Sequence, residues 1–272
     1  MPWFPDFASA AALARQETRA AGQADPVRQY VTALNSGDAR ALESVWPGEL
    51  VVYDPLAGEV RGHRQLRQLV SHSQSLLARR HARVDTVAAT VAAGRAVVEL
   101  LTHLDGDGQE QLWPVAVVAE PRDDQSMVFR TYCSLRPVDG EHQHTRSAIL
   151  TSAADLPGDV VARFHAALGA GDADAVVAAF TPDGYYREPI GPQAIHRGTA
   201  ELHSFFTAQF SAGGGISLEP CAITDDGVRC AVEYNCIQWG DRELSPQAGL
   251  CVCERGPDGL LAGVRQYDDI TR

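Results

Sequence analysis

The segment VRQYVTALNSGDARALESVWPGELVVYDP, which begins at Val27, recurs as VARFHAALGAGDADAVVAAFTPDGYYREP from Val161, an offset of 134 residues. Gly37-Asp38 falls on Gly171-Asp172, Trp46 on Phe180 and Pro55 on Pro189. The offset widens to 136 where Arg61-Gly62 meets Arg197-Gly198, and returns to 134 where Val98-Glu99 meets Val232-Glu233. Arg130-x-Tyr132 meets Arg265-x-Tyr267 at 135. Small insertions between matched segments are what loops tolerate and packed elements do not. The chain is therefore two copies of one domain, and each copy must close its own core. The expected division is an extension over 1–24, a first domain over 25–137, a linker over 138–156 and a second domain over 157–272.

Each copy carries the same order of elements. In the first, Asp25 reads as an N-cap with Pro26 at the first helical position. Val27, Tyr30, Val31 and Leu34 then form an apolar helical stripe that Gly37 ends. Asp38 caps a second helix, the strand LVVYD stops at Pro55, and a third helix runs from about Arg64 to Arg79. Strands follow over 84–92, 95–104, 111–120 and 126–135. The second copy repeats this with helices near 159–170, 173–180 and 199–210 and strands near 216–224, 228–238, 247–254 and 260–269. Helices first and strands after define an α+β class with a mainly antiparallel sheet. Trp3, Phe4 and Phe7 with the Ala-rich stretch behind them read as an anchor packed on the first domain. His142 and His144 fall in the linker, which reads as solvated.

Composition removes several classes of function. The net charge is −12, so nucleic acid is not an expected partner, because that affinity comes largely from cations neutralising phosphates. All 23 basic residues are arginine; without lysine the chain lacks the amine of Schiff-base chemistry and of a phosphate-loop lysine. No apolar run approaches the roughly 18 residues of a membrane span, and residues 1–15 do not read as a secretory leader, so a cytoplasmic protein with no membrane partner is expected. Five of six cysteines (Cys221, Cys230, Cys236, Cys251, Cys253) lie in the second copy. No CxxC pair occurs and Cys251 and Cys253 share a strand-like run, so reduced core thiols, with no metal and no cofactor, are expected.

RQYVTALNSGD, VVYDP and RGHRQL in the first copy, with RFHAALGAGD, YYREP and HRGTAELHSFF in the second, resemble the nuclear-transport-factor-2-like superfamily, specifically SnoaL-like and ketosteroid-isomerase-like domains. The layout is similar to that of two-domain polyether epoxide hydrolases and cyclases. The resemblance implies two cones, each with three helices packed on a curved sheet around an apolar pocket. It implies an acid–base enzyme without a cofactor, a cyclase, isomerase or epoxide hydrolase, acting on an apolar small molecule in polyketide-type secondary metabolism. The alternative is a non-catalytic module that binds a hydrophobic ligand or dimerises.

The offset of 134 carries Asp54 onto Glu188, the position of the general base in such isomerases. It also carries Asp85 onto Glu219 at the start of the next long strand, giving candidate dyads Asp54/Asp85 and Glu188/Glu219. Tyr30 falls on the family's oxyanion-hole Tyr, whereas the second copy has Phe164 there. Cys230, Val232, Tyr234 and Cys236 share one strand face by period two, and the resemblance turns that face inward. Tyr186 and Asp268 add polar groups, which makes the second copy the expected working pocket. Because single-domain relatives form two-fold dimers, the copies are expected to pack as an intramolecular pseudo-dimer, with a further homodimer open.

Overall fold

The computed structural model describes residues 25–106, 109–122, 125–140 and 146–271. The expectations for residues 1–24, His142 and His144 lie outside the described residues. Helix α1 covers residues 25–36 and Asp25 is already helical, so it is not the cap; its carboxylate instead accepts from Gln29 Nε2 at 2.7 Å. Gly37, at φ 80°, ends α1, and Asp38 caps α2 (Ala39–Val45) by accepting from the Arg40 and Ala41 amides. Strands β1 (Leu50–Asp54) and β2 (Gly58–Arg61) form a hairpin before α3 (Gly62–Arg79). Strands β3 (Arg83–Ala92), β4 (Arg95–Gly106), β5 (Gln109–Pro121) and β6 (Met127–Tyr132) then run as a meander. A one-turn helix α4 (Arg136–Asp139) follows.

The second copy contains α5 (Val160–Ala170), α6 (Ala173–Ala178), β7 (Phe180–Arg187), β8 (Ile195–Arg197) and α7 (Gly198–Gln209). Strands β9 (Ile216–Asp225), β10 (Arg229–Trp239), β11 (Arg242–Arg255) and β12 (Leu261–Tyr267) complete it. The sheet orders are β2-β1-β6-β5-β4-β3 and β8-β7-β12-β11-β10-β9. Only β1–β6 and β7–β12 pair in parallel, so both sheets are mainly antiparallel. The short strands β2 and β8 are additions to the sequence reading. Each pairs with the strand that ends in the "DP" or "EP" acid and fixes the position of that turn.

One face of each sheet packs against its own helices. In the first copy Tyr30, Leu66, Leu69 and Val70 from α1 and α3 meet Val98, Val117 and Phe129 from the sheet. The opposite faces meet each other. Val97, Ala116, Val118 and Tyr132 form one apolar cluster with Ala231, Leu250, Val252 and Tyr267. Two buried ion pairs cross this seam. Arg130 donates to Glu233 at 2.5 and 2.9 Å, and the Tyr132 hydroxyl donates to the same carboxylate at 2.8 Å. Arg265 donates to Glu99 at 2.5 and 2.9 Å, with the Tyr267 hydroxyl at 2.7 Å. Glu99 and Glu233 are repeat equivalents, as are the two arginines, so the second contact set is the first with the copies exchanged.

The later part of the linker is tethered to both copies, although Ser147, Ala148, Thr151, Ser152 and Ala153 stay exposed. Ala148 N donates to Pro246 O, the Ala153 and Ala154 amides reach Pro220 O, and Ser147 bridges Gln247. Arg146 donates to the Thr131 and Tyr53 carbonyls and lies 4.8 Å from the Tyr132 ring centre. This strap joins the first sheet to strands β9 and β11 of the second. Among the described residues no helix is long and apolar enough to cross a membrane.

Candidate active site and ligand cavities

Each copy encloses a cavity between helices and sheet. Cavity one, of about 470 Å³, is lined by Tyr30, Val31 and Leu34 from α1, by Leu69 and Leu76 from α3, and by Leu100, Trp113 and Val115 from the sheet. Asp54 lies at its rim, where Oδ1 accepts from the Leu56 and Ala57 amides at 2.9 Å each. The Tyr30 hydroxyl is buried in this wall beside the Thr131 hydroxyl, which interacts with it, and neither meets any further polar group. Burial first, and the Asp54 charge second, push the Tyr30 phenol well above its ordinary range. It is therefore a neutral donor waiting for an acceptor.

Cavity two, of about 460 Å³, is lined by Tyr186, Glu188, Phe205, Phe206, Leu218, Trp239 and Asp268. Ser134 and Arg136 of the first copy close one side of it. Glu188 opens the turn after β7 and pairs with His196 Nε2 at 2.9 Å, and that imidazole stacks on Phe205 at 3.9 Å. Asp268 is buried just beyond β12 and accepts from the Tyr234 hydroxyl and from Gln266 Nε2 at 2.9 Å. Burial raises its carboxyl pKa; those two donors only partly offset the effect. The Tyr186 phenol is raised by burial and then by the charges of Asp268 and Glu188, so both carboxyls act on one point of the cavity. A carboxyl whose burial favours the protonated form and a second carboxyl hydrogen-bonded to a His can divide acid and base roles in one apolar space.

The expected dyads are not assembled. Val84 and Leu218, themselves repeat equivalents, are the residues that line the cavities, so the next residues, Asp85 and Glu219, point to the other face of their strands. Asp85 instead pairs with Arg83 at 2.5 Å and His103 at 3.1 Å, half exposed. Glu219 lies opposite Asn235, whose amide donates to Leu150 O of the linker strap. Cys230, Val232, Tyr234 and Cys236 do share one face, but they pack into the core and none lines cavity two. Tyr234 reaches the cavity through Asp268 and Gln266, which both line it. Its ring lies over Gly249, where an added Cβ would come within 2.4 Å of the ring. Leu100, the equivalent of Tyr234, lines cavity one, so the larger side chain of the second copy occupies space left open in the first.

His196 and Gln266 were not read as site residues. His196 precedes the Arg-Gly signal at the third helix, and only the β7–β8 hairpin turns it toward Glu188. Arg187 lies over the Tyr267 ring at 4.5 Å on the interdomain face, as alternation from Glu188 requires. Cys251, Cys253 and His165 form a further buried cluster, with Cys251 Sγ 3.6 Å from His165 Nε2. A hydrogen bond from Cys251, helped by His165, favours the thiolate at Cys253.

A family model for the SnoaL-like domain matches residues 27–129 and again 161–262, and the chain belongs to that family, twice over. Solved structures similar to parts of it include a protein from Sinorhizobium meliloti provisionally assigned as a polyketide cyclase. The two are 25% identical over 41% of this chain and 95% of that one, at a TM-score of 0.34. Another is SalBIII, an epoxide hydrolase/cyclase-like enzyme of pyran ring formation in the polyether salinomycin, at 22% identity over 40% and 86%, TM-score 0.34. A third, from Catenulispora acidiphila, has a ketosteroid isomerase-like fold and a bound trimethylamine, at 15% identity over 41% and 86%, TM-score 0.34. No curated protein matches the chain.

Proposed function

We propose that the second copy is a cofactor-independent acid–base enzyme acting on an apolar small molecule by cyclisation, isomerisation or epoxide opening. The observation that carries this reading is one cavity shared by Glu188, oriented by His196, and by Asp268, whose burial favours its protonated form. Glu188 withdraws a proton from the substrate, and Asp268 gives one to the oxygen that gains electron density. Tyr234 and Gln266 hold the Asp268 carboxyl in place. Tyr186, Phe205 and Trp239 supply the apolar walls, and Arg136 of the first copy adds a cation at the edge. The reciprocal seam supports an intramolecular pseudo-dimer in which one copy helps close the other's cavity. Membership of the SnoaL-like family supports reading the reaction as one of polyketide-type secondary metabolism, with a cytoplasmic setting as part of the same proposal.

The test is turnover across a panel of apolar enones and epoxides by wild type, Glu188→Gln and Asp268→Asn. Each variant keeps shape and loses a proton-transfer group, so a loss of about 10²–10⁴-fold is expected with binding retained. Undiminished turnover in Glu188→Gln would remove that residue as the base.

A second reading concerns cavity one. Its walls are mostly hydrocarbon and its two buried hydroxyls, Tyr30 and Thr131, offer a carbonyl-bearing hydrophobic ligand a place to hydrogen-bond. Binding without reaction suits that lining. Tyr30→Phe should weaken retention of such a ligand and leave turnover in cavity two unchanged.

A further inference from the structure

Three metal-ligating side chains meet in the core of the second copy with a fourth close by, and none of them lines either cavity. Cys251 and Cys253 are two apart on β11 and project from one face toward α5. His165 descends from α5 onto them, and one donor atom from each of the three lies within 4.8 Å of the others. Cys230 on β10 stands directly opposite Cys253, where facing Cβ atoms are about 5 Å apart, and the two thiols feel each other's charge. All four residues are buried, the cysteines completely. The His165 Nδ1 has no hydrogen-bond partner, so the imidazole is placed by its other nitrogen against sulfur.

The first copy supplies an internal control. The offset of 134 carries His165 to Val31, Cys251 to Val117, Cys253 to Ala119 and Cys230 to Ala96. Hydrocarbon fills every one of these places in the same fold, so packing does not demand three thiols and an imidazole there. Replacing three aliphatic side chains by three metal donors at one point in space, with a fourth thiol on the facing strand, is the pattern of a built site. Burying an imidazole with a nitrogen unsatisfied is otherwise a cost with no return.

We propose that Cys251, Cys253, His165 and Cys230 bind one thiophilic d¹⁰ metal ion, Zn²⁺ or Cu⁺, in the core of the second domain. Metal–sulfur bonds of about 2.3 Å and a metal–nitrogen bond of about 2.0 Å set tetrahedral donors roughly 3.5–3.8 Å apart, a contraction of about 1 Å or less from the present spacing. With three thiolates and a neutral imidazole the complex carries one net negative charge for Zn²⁺ and two for Cu⁺, and three thiol protons leave to solvent on binding. The ion would pin α5 to β10 and β11. Spacing along the chain argued for inert thiols because it counts neighbours in sequence; the histidine comes from a helix more than 80 residues earlier.

The experiment uses the full chain, reduced and stripped of metal under anaerobic conditions, titrated with Co²⁺ as the optical probe. Wild type is expected to bind one equivalent, with the sulfur-to-cobalt charge-transfer absorption and strong visible bands of tetrahedral thiolate coordination. Zn²⁺ should displace it and raise the melting temperature of the second domain by several degrees. Competition against a Cu⁺ chelator separates the copper arm from the zinc arm. The variant His165→Val/Cys251→Val/Cys253→Ala copies the first domain's residues and is expected to fold and to lose that equivalent. Cys221→Ala, outside the cluster, should keep it. Wild type without charge-transfer absorption and without Cu⁺ retention would overturn the proposal, as would an equivalent retained by the triple variant.

Discussion

Replacing Glu233 by Gln isolates one charge in the seam between the copies. The carboxylate takes two hydrogen bonds from Arg130 and one from Tyr132, and the side chains of Glu233 and Arg130 are each 3% exposed. Removing one partner of a buried pair costs about 3–5 kcal/mol, because the other charge stays desolvated. Glu120 remains 2.7 Å from Arg130 but is 33% exposed, so water screens part of its attraction. The low end of the range, about 3 kcal/mol, is therefore expected. Guanidinium unfolding of the full chain measures it. The triple variant Arg130→Met/Glu233→Leu/Tyr132→Phe strands no polar group and should recover most of the loss. Glu99→Gln at the matched site should cost a similar amount, since Glu254 stands 2.8 Å from Arg265 as Glu120 stands beside Arg130. A cost below about 1 kcal/mol for Glu233→Gln would mean that water reaches the pair and the buried-seam reasoning fails.

The raised Asp268 pKa has a definite sign in stability. The native protein holds this proton more tightly than the unfolded chain, so stability falls as pH rises from the unfolded carboxyl value of about 3.9 through the higher native one. Asp268→Asn should flatten that decline in melting temperature between acid and neutral pH; an unchanged slope would show that Asp268 is not the group responsible. Gly249→Ala places a methyl group against the Tyr234 ring and should cost about 1–3 kcal/mol by denaturant unfolding, with turnover reduced through the displaced Asp268.

The repeat made the fold legible, because matching a chain to itself averages out local ambiguity. Gly37 and Gly171 ended their helices, Asp38 and Asp172 capped the next, and LVVYD became β1 unchanged. Glu188 was legible for the same reason. Its partner was not. Equivalence of Asp85 and Glu219 said that the two sit alike, and not that they face inward; apolar Val84 and Leu218, one residue earlier, carried that signal through period-two alternation. Asp268 sits at the end of β12, where no pattern distinguishes a buried carboxyl from a solvated one until Tyr234 is seen reaching it. The seam charges Glu99, Arg130, Glu233 and Arg265 recur at the repeat offset in apolar strands, yet only the meeting of two sheets gives them partners.

The order in which the seam's charges leave the ribosome matters. Arg130 precedes Glu233 by 103 residues and Glu99 precedes Arg265 by 166. At about 5–20 residues per second, those gaps last on the order of 5–20 s and 8–30 s. Throughout that interval the finished first sheet presents Val97, Val118 and Tyr132 to solvent, with Glu99 lacking its arginine and Arg130 held by the part-exposed Glu120 alone. Those same charges make the waiting face selective, because two such faces pair each Arg with a Glu only in the register that the two copies adopt.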